Sequence, residues 1–406
     1  MKYISLFSGI GGLESKDVDP MIICEQDAQC MDYLSGKYKK AKCVEDVKDL
    51  SKKTTKIQKM DVVTGGWPCQ DLSVAGEKKG FKGVKSVLFY DLLEVAKKSK
   101  SETIIAENVP NLLNIDKGDV FATVLKELAS SGYKFISWRI INSRSFNLPH
   151  QRRRLFIVAS KSEQIAKNLF NPIKTKIKKP KNELIVNSFY HTAGTHSICF
   201  SENFTPTLKV SGGGLAIQYL NQIRRISSAE ALKLQGFNPN QFKRFSDTQI
   251  FTMAGNAVSK PVGNFIFASI NKNIKNLSLR ATNSGDLFDQ NSNIVPSNIK
   301  NGFYRNGALY EVDLEKEILC SNLADFIDSN NNNYLSVQAT LGILRRAAKA
   351  NKPIKKSLLT LMIETVSMKA LKKEVNQEQI DNLIKNSSEI RPLRERNSIE
   401  EEESLF

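Results

Sequence analysis

The first 160 residues repeat one pattern. A short apolar run of strand length closes on a turn containing glycine or an acid, and a stretch with apolar residues at helical spacing often follows. Runs at 3–7, 21–24, 61–64, 103–106, 135–141 and 155–159 read as strands, and 88–98 and 120–130 read as helices. Parallel strands need crossover connections, and the crossover helices cover the faces of the sheet. The expected class is therefore α/β, a doubly wound, mostly parallel sheet. Such sheets bind ligands beyond the carboxyl ends of their strands, so the residues there are the ones to examine.

One strand end carries a thiol. The run 60–64 closes on Gly65-Gly66, and Trp67-Pro68-Cys69-Gln70 follows. The glycines permit close backbone approach and Pro68 fixes the entry to the loop, an arrangement suited to a nucleophile under a closing loop. Most free cysteines are small core hydrophobes, so the other strand ends decide the reading. The run at 103–106 leads into Glu107-Asn108-Val109-Pro110, placing a carboxylate where it can give or take a proton. The first strand leads into Ser8-Gly9-Ile10-Gly11-Gly12, a turn suited to a nucleotide-like cofactor but lacking the third glycine of the dinucleotide fingerprint. Glu25-Gln26 stands after the run 21–24, and Asp46-Val47 after a further short strand expected before residue 45, where carboxylates can meet ribose hydroxyls and an adenine amino group.

Taken in order, these blocks resemble the DNA cytosine-5 methyltransferases of prokaryotic restriction–modification systems. The resemblance also rests on Arg152-Arg153-Arg154 before the run 155–159, on Ser228 to Phe237, and on Gly255-Asn256-Ala257-Val258, and it spans residues 3 to about 270. It implies the S-adenosylmethionine-dependent methyltransferase fold. It also implies Cys69, Glu107, Asn108, Arg152 and Arg154 as catalytic residues and no metal. The cofactor, S-adenosylmethionine, would be held by Phe7, Gly9, Ile10, Gly11, Gly12, Glu25, Gln26, Asp46, Val47, Pro68, Leu88, Asn256 and Val258. The implied reaction is methyl transfer to carbon 5 of a flipped cytosine in a specific duplex sequence, through a covalent Cys69 adduct. Several positions depart from the family pattern: Ser5 replaces a frequent Asp, Trp67 a Phe, Asp71 a Pro and His150 a Gln, and Asn238 interrupts a Phe-Pro step. Two alternatives stay open: an RNA (transfer RNA) cytosine-5 methyltransferase of the same fold, and a non-catalytic DNA-binding protein that retains it.

Charge agrees with a polyanionic partner. Lys and Arg number 59 against 42 Asp and Glu, a net charge of +17. The lysines of 161–182 and of the loop 76–85 are placed to meet phosphates. The six cysteines, Cys24, Cys30, Cys43, Cys69, Cys199 and Cys320, form no CxxC pair, which argues against a zinc ribbon or a disulfide framework. His191, His196 and Cys199 lack a fourth metal ligand at a usual spacing. With no apolar run of membrane length and no leader pattern, a cytoplasmic monomer is expected. Its partner is double-stranded DNA, with no membrane, and a cognate restriction endonuclease is a functional partner.

The expected organisation is a catalytic domain over 1–160, completed by 249–273, and a small target-recognition domain over 161–248. A linker rich in Asn and Ser covers 274–298, and a helical C-terminal extension with an acidic tail covers 299–406. Base-reading candidates in the second domain are His191, Thr192, His196, Lys209 and Gln218. Ser227 with Glu230 three residues on reads as a helix start. In the extension, 339–350 and 358–373 have helical apolar spacing.

Overall fold

A computed structural model describes residues 1–68, 87–181, 183–190, 200–210, 214–274, 277–282 and 299–387. Cys69 and the loop to residue 86, the candidates His191, Thr192 and His196, Cys199, and the acidic tail lie outside the described residues. The chain divides into two compact units: residues 1–146, 153–176 and 257–318, and residues 147–152, 177–256 and 319–406.

The first unit is built on a ten-stranded sheet. In chain order its elements begin with β1 (Tyr3–Leu6), β2 (Ile22–Cys24), α1 (Ala28–Lys37), β3 (Lys42–Val44), α2 (Val47–Ser51), β4 (Val62–Gly65), α3 (Val87–Lys98) and β5 (Thr103–Asn108). They continue with α4 (Asp119–Ser130), β6 (Phe135–Asn142), β7 (Arg153–Ser160) and α5 (Glu163–Lys167). The first five strands are mutually parallel in the order β3-β2-β1-β4-β5. Beyond them β7 is antiparallel to β5, and β6 is antiparallel to β7. The central strands are buried along their length because helices cover both faces. One core cluster holds Leu92 and Phe121 of α3 and α4; another holds Val262, Ile266 and Phe267 from residues 260–270.

The second unit contains a four-stranded sheet in the order β11-β10-β8-β9. Its strands are β8 (Asn187–Tyr190), β9 (Phe200–Glu202), β10 (Leu215–Tyr219) and β11 (Gln222–Arg225), all antiparallel to their neighbours. Then come α6 (Ser228–Leu234) and α7 (Asp247–Asn256). The helix start at Ser227 forms as expected: its side chain accepts from Glu230 N, and Glu230 returns a carboxylate to Ser227 N at 2.8 Å.

The structure redraws the expected domain boundaries in four places. Residues 161–176 stay with the first unit because α5 and the following turn bury Ala166 and Phe170 there. Helix α7 groups with the second unit, whereas α8 (Lys260–Ile270) returns to the first. The span expected as a linker holds β12 (Leu279–Ala281). The first part of the expected helical extension is the hairpin β13 (Gly302–Arg305) and β14 (Ala308–Val312), which widens the large sheet through β6. Gly302 is required in this register, since a Cβ there would lie 2.0 Å from the Trp138 ring. Helical structure proper begins at α9 (Val337–Lys349), followed by α10 (Lys356–Thr365), α11 (Met368–Glu374) and α12 (Gln377–Asn386). The single helix expected over 358–373 is broken at Val366-Ser367, where the Ser367 side chain caps α11 by accepting from Ala370 N.

Candidate active site

The first turn is shaped by backbone conformations that few residues adopt. Phe7 has φ +52° although it is not glycine, Gly9 has φ +54° and Gly11 φ +79°. Among the described residues, a Cβ on Gly9 would meet nothing within 4 Å, so no described side chain fills that side of the turn. Gly12 is the opposite case: a Cβ there would lie 2.0 Å from the Val258 carbonyl, and one on Gly263 would lie 2.1 Å from the Gly12 carbonyl. The turn is thus clamped from behind by residue 258 and α8, while no described residue packs against its front at Gly9.

Glu25, beyond β2, braces this turn. Its carboxylate accepts from Gly9 N at 2.7 Å and from Asp27 N at 2.9 Å. Burial nonetheless raises its pKa above the usual carboxylate range, against those hydrogen bonds. Asp46, beyond β3, caps α2 by accepting from Lys48 N at 2.9 Å, and Val47 is buried. Gln26 is exposed, Leu88 is half-buried against the core, and Pro68 is exposed at the mouth of the loop. Phe7, Ile10, Glu25, Asp46, Val47 and Val258 all lie in the first unit. Asn256 does not: it ends α7 in the second unit, and its side chain is exposed.

Sequence reasoning passed over Glu14. Its carboxylate is buried, with Oε1 accepting from Ser5 Oγ at 2.7 Å. Ser5 Oγ is in turn 2.7 Å from Ser8 Oγ. Burial pushes the Glu14 pKa up, and Lys37, held close by across Gly11, is pushed down to about 8 by its own burial. The signal was the departure at Ser5. An aspartate there would set two carboxylates against each other, whereas a hydroxyl can donate.

At the other end of the row, Glu107 and Asn108 close β5. The Arg154 Nε lies 3.0 Å from Glu107 Oε1, with the two side chains 16% and 14% exposed. The strand register explains the meeting, since β5 pairs with β7 and places Asn108 opposite Leu155. Asn108 is buried. Its Nδ2 donates to the Trp67 carbonyl at 3.2 Å, and its Oδ1 accepts from Val109 N at 2.8 Å. The side chain of Asn108 therefore fixes the backbone two residues before Cys69. Trp67 is itself buried, its ring 5.0 Å from that of Phe89. Gly66 leaves room for the acid: a Cβ there would come within 2.7 Å of Glu107 Oε2. Chemically, this is a carboxylate steadied by a guanidinium beside a pinned loop entry, able to serve a reaction that needs a proton held at one place.

Arg152 is buried but belongs to the second unit, so the two expected arginines stand in different bodies. Its segment is tied to residues 205–208: Gln151 N donates to Thr205 O, Thr205 N to Pro149 O (each 2.7 Å), and Leu208 N to His150 Nε2 at 3.0 Å. That gives the unexpected His150 a role, as acceptor in a clasp. Of the base-reading candidates, Lys209 is exposed with its Nζ 4.8 Å from the Tyr190 ring centroid, and Gln218 Oε1 accepts from Asn187 Nδ2 at 3.0 Å.

Several known proteins are similar to this chain. A family profile described as C-5 cytosine-specific DNA methylase matches residues 1–211 and 205–272. The chain is 29% identical over 294 residues to the Type II methyltransferase M2.BsuMI of Bacillus subtilis, covering 66% of this chain and 74% of that protein. It is 27% identical over 304 residues to M1.ScrFI of Lactococcus lactis subsp. cremoris, with coverages of 64% and 75%. It is also 27% identical over 318 residues to M.Bsp6I of Bacillus sp. (strain RFL6), covering 68% of this chain and 99% of that one.

Proposed function

The chain belongs to the C-5 cytosine-specific DNA methylase family, and we propose that it methylates carbon 5 of a cytosine in one duplex DNA sequence, with S-adenosylmethionine as donor and Cys69 as nucleophile. The observation that carries this reading is the constellation at the end of β5. Glu107 is held by Arg154, and Asn108 grips the carbonyl that precedes Pro68-Cys69.

The turn at Phe7–Gly12 fits the methyl donor: it is open at Gly9 among the described residues, backed by Val258, and flanked by acids beyond β2 and β3. Glu25 and Asp46 retain lone pairs with which they would hold the ribose and adenine, and Phe7, Val47, Pro68, Leu88 and Asn256 are the other residues that would hold the cofactor. When bound, S-adenosylmethionine supplies an electrophilic methyl group. The protein's part is to make cytosine carbon 5 nucleophilic. The Cys69 thiolate adds to carbon 6 while Glu107, protonated or sharing a proton with ring nitrogen 3, stabilises the electrons pushed into the ring, so that carbon 5 becomes enamine-like. Arg154 keeps the Glu107 carboxyl oriented, and Arg152 is a donor for the pyrimidine carbonyl. After methylation a water takes the carbon-5 proton, the proton at ring nitrogen 3 goes back to Glu107, and the freed electron pair expels Cys69 as thiolate, restoring the ring. The target base leaves the stack to reach the thiol.

Restriction–modification relatives make a cognate endonuclease the expected functional companion. Bisulfite sequencing of DNA from cells expressing the protein tests the reading and returns the target sequence. A reproducible methylated motif, absent with Cys69→Ser, supports it. No motif in DNA, with methylated cytosine in transfer RNA instead, overturns it.

A further inference from the structure

Residues 319–387 lie beyond the family match, yet they are built into the second unit and not appended to it. One apolar core joins Phe189, Phe200 and Ile223 of the four-stranded sheet to Leu344, Leu358 and Met362 of α9 and α10. Polar ties reinforce it. Leu335 N donates to Ile223 O at 3.0 Å, and Arg225 N donates to Asn333 O at 2.9 Å. Lys355 Nζ donates to Asn187 Oδ1 at 3.2 Å and to Glu202 Oε2 at 3.0 Å.

Within this module α11 is asymmetric. Leu371 packs inward at 1% exposure, while Lys369, Lys372 and Lys373 are exposed at i, i+3 and i+4 spacing and so share one face. The only acid in α11, Glu374, is taken up by Arg345 of α9 at 3.2 Å. The outward face is therefore of one sign, and among the described residues its lysines make no ion pair. Packing demands only polar residues there, and any mixture of charges would meet that need. A row of ammonium groups along a rigid helix suits a polyanion with regularly spaced charges.

We propose that the lysine face of α11 binds the phosphate backbone of DNA, which makes the C-terminal helices part of the nucleic-acid surface of this enzyme. The proposal rests on the functional reading above. Every phosphate that α11 no longer neutralises should flatten the salt dependence of binding, log K against log [salt], by about 0.9.

The test uses the full chain, a duplex containing the target motif, and fluorescence anisotropy across a salt series. K369Q/K372Q/K373Q should lower the slope by about 2 to 3 and weaken binding at low salt by at least about tenfold. A control of equal charge change at exposed lysines of the first unit, K39Q/K40Q/K42Q, should leave the slope near the wild-type value. Thermal melting of both variants checks folding. An unchanged slope in the α11 variant overturns the proposal, as does an equal loss in the control, which would assign the effect to net charge. Wild-type methylation with no α11 effect removes this inference alone. A wild-type chain that binds and methylates no duplex removes the functional reading and this inference with it.

Discussion

Two arginine–glutamate pairs, one in each unit, are made of the same groups in different surroundings. In the first unit, Arg154 meets Glu107 at a strand end where both side chains stay partly open to solvent. In the second, Arg224 and Glu230 are each 2% exposed and 2.7 Å apart, and the carboxylate also accepts from Asp328 N at 2.7 Å and Ser227 N at 2.8 Å. Arg224 further donates to the Asp328 and Arg225 carbonyls. A closed pair whose partners are all internal can only hold segments together. It fastens residues 328–331 to the start of α6. A pair at an accessible strand end can engage a substrate, because its carboxylate stays within reach from outside.

The sharpest way to break this contrast is to neutralise the open pair. Glu107→Gln should lower kcat by about 10²- to 10⁴-fold, with a melting curve close to wild type. A large loss of stability would instead make Glu107 structural. The closed pair predicts the reverse. Arg224→Ala strands a buried carboxylate and should cost about 3–5 kcal/mol in urea unfolding, and Arg224→Met with Glu230→Leu should not rescue it, because Ser227 N and Asp328 N lose their acceptor. A cost under about 1 kcal/mol would show that the pair holds nothing.

Gly66→Ala refines the first half of the comparison. The new methyl would sit 2.7 Å from Glu107 Oε2 and push the carboxyl aside. The expected loss in kcat is up to about 100-fold with little change in cofactor affinity. Unaltered kcat would show that the acid's position is not critical.

How much of the molecule is legible in its sequence follows the same division. Most of the parallel half of the large sheet is written in local pattern: β1, β2, β4 and β5 are short apolar runs that lead into a glycine turn or an acid, with Glu25 and Glu107-Asn108 at two of those ends, whereas the edge strand β3, Lys42-Cys43-Val44, is no apolar run and precedes Asp46. The partnership of Glu14 with Ser5 joins residues nine positions apart through a turn, and no period in the sequence announces it. The hairpin 302–312 does carry a signal. Asn306-Gly307, with φ +48° and +92°, stands between two short apolar runs, the pattern favoured by tight hairpin turns. Its neighbourhood of Asn and Ser obscures it. The second unit is hardest to read, because its helices cover a sheet more than a hundred residues earlier in the chain, and amphipathic spacing tells which face is buried but not against what.

Smaller effects test finer points. His150→Gln should be nearly silent, since an amide oxygen can accept the same N–H from Leu208. His150→Ala should cost about 1–3 kcal/mol by leaving that buried donor unmet, again read by urea unfolding. The least effect concerns Lys37, which faces Glu14, Lys260 and Asp19. Folded, it titrates at about 8; unfolded, near 10.4. Between those values the unfolded chain holds a proton that the folded chain has released, so stability should rise with pH across that window and be flat in this term below it. Lys37→Met should abolish the rise. Persistence of the slope in that variant would assign it to another group.

In the proposed reaction the sulfur of Cys69 bonds to the target pyrimidine while Glu107 steadies the ring. A duplex whose target cytosine carries fluorine at carbon 5 permits that bond and methyl transfer, but it blocks the final loss of the carbon-5 substituent. Incubated with S-adenosylmethionine, it should yield a denaturation-resistant protein–DNA adduct that peptide mapping places at residue 69. If the unfluorinated duplex is methylated but the fluorinated one gives no adduct, or gives one at another residue, the central claim is contradicted.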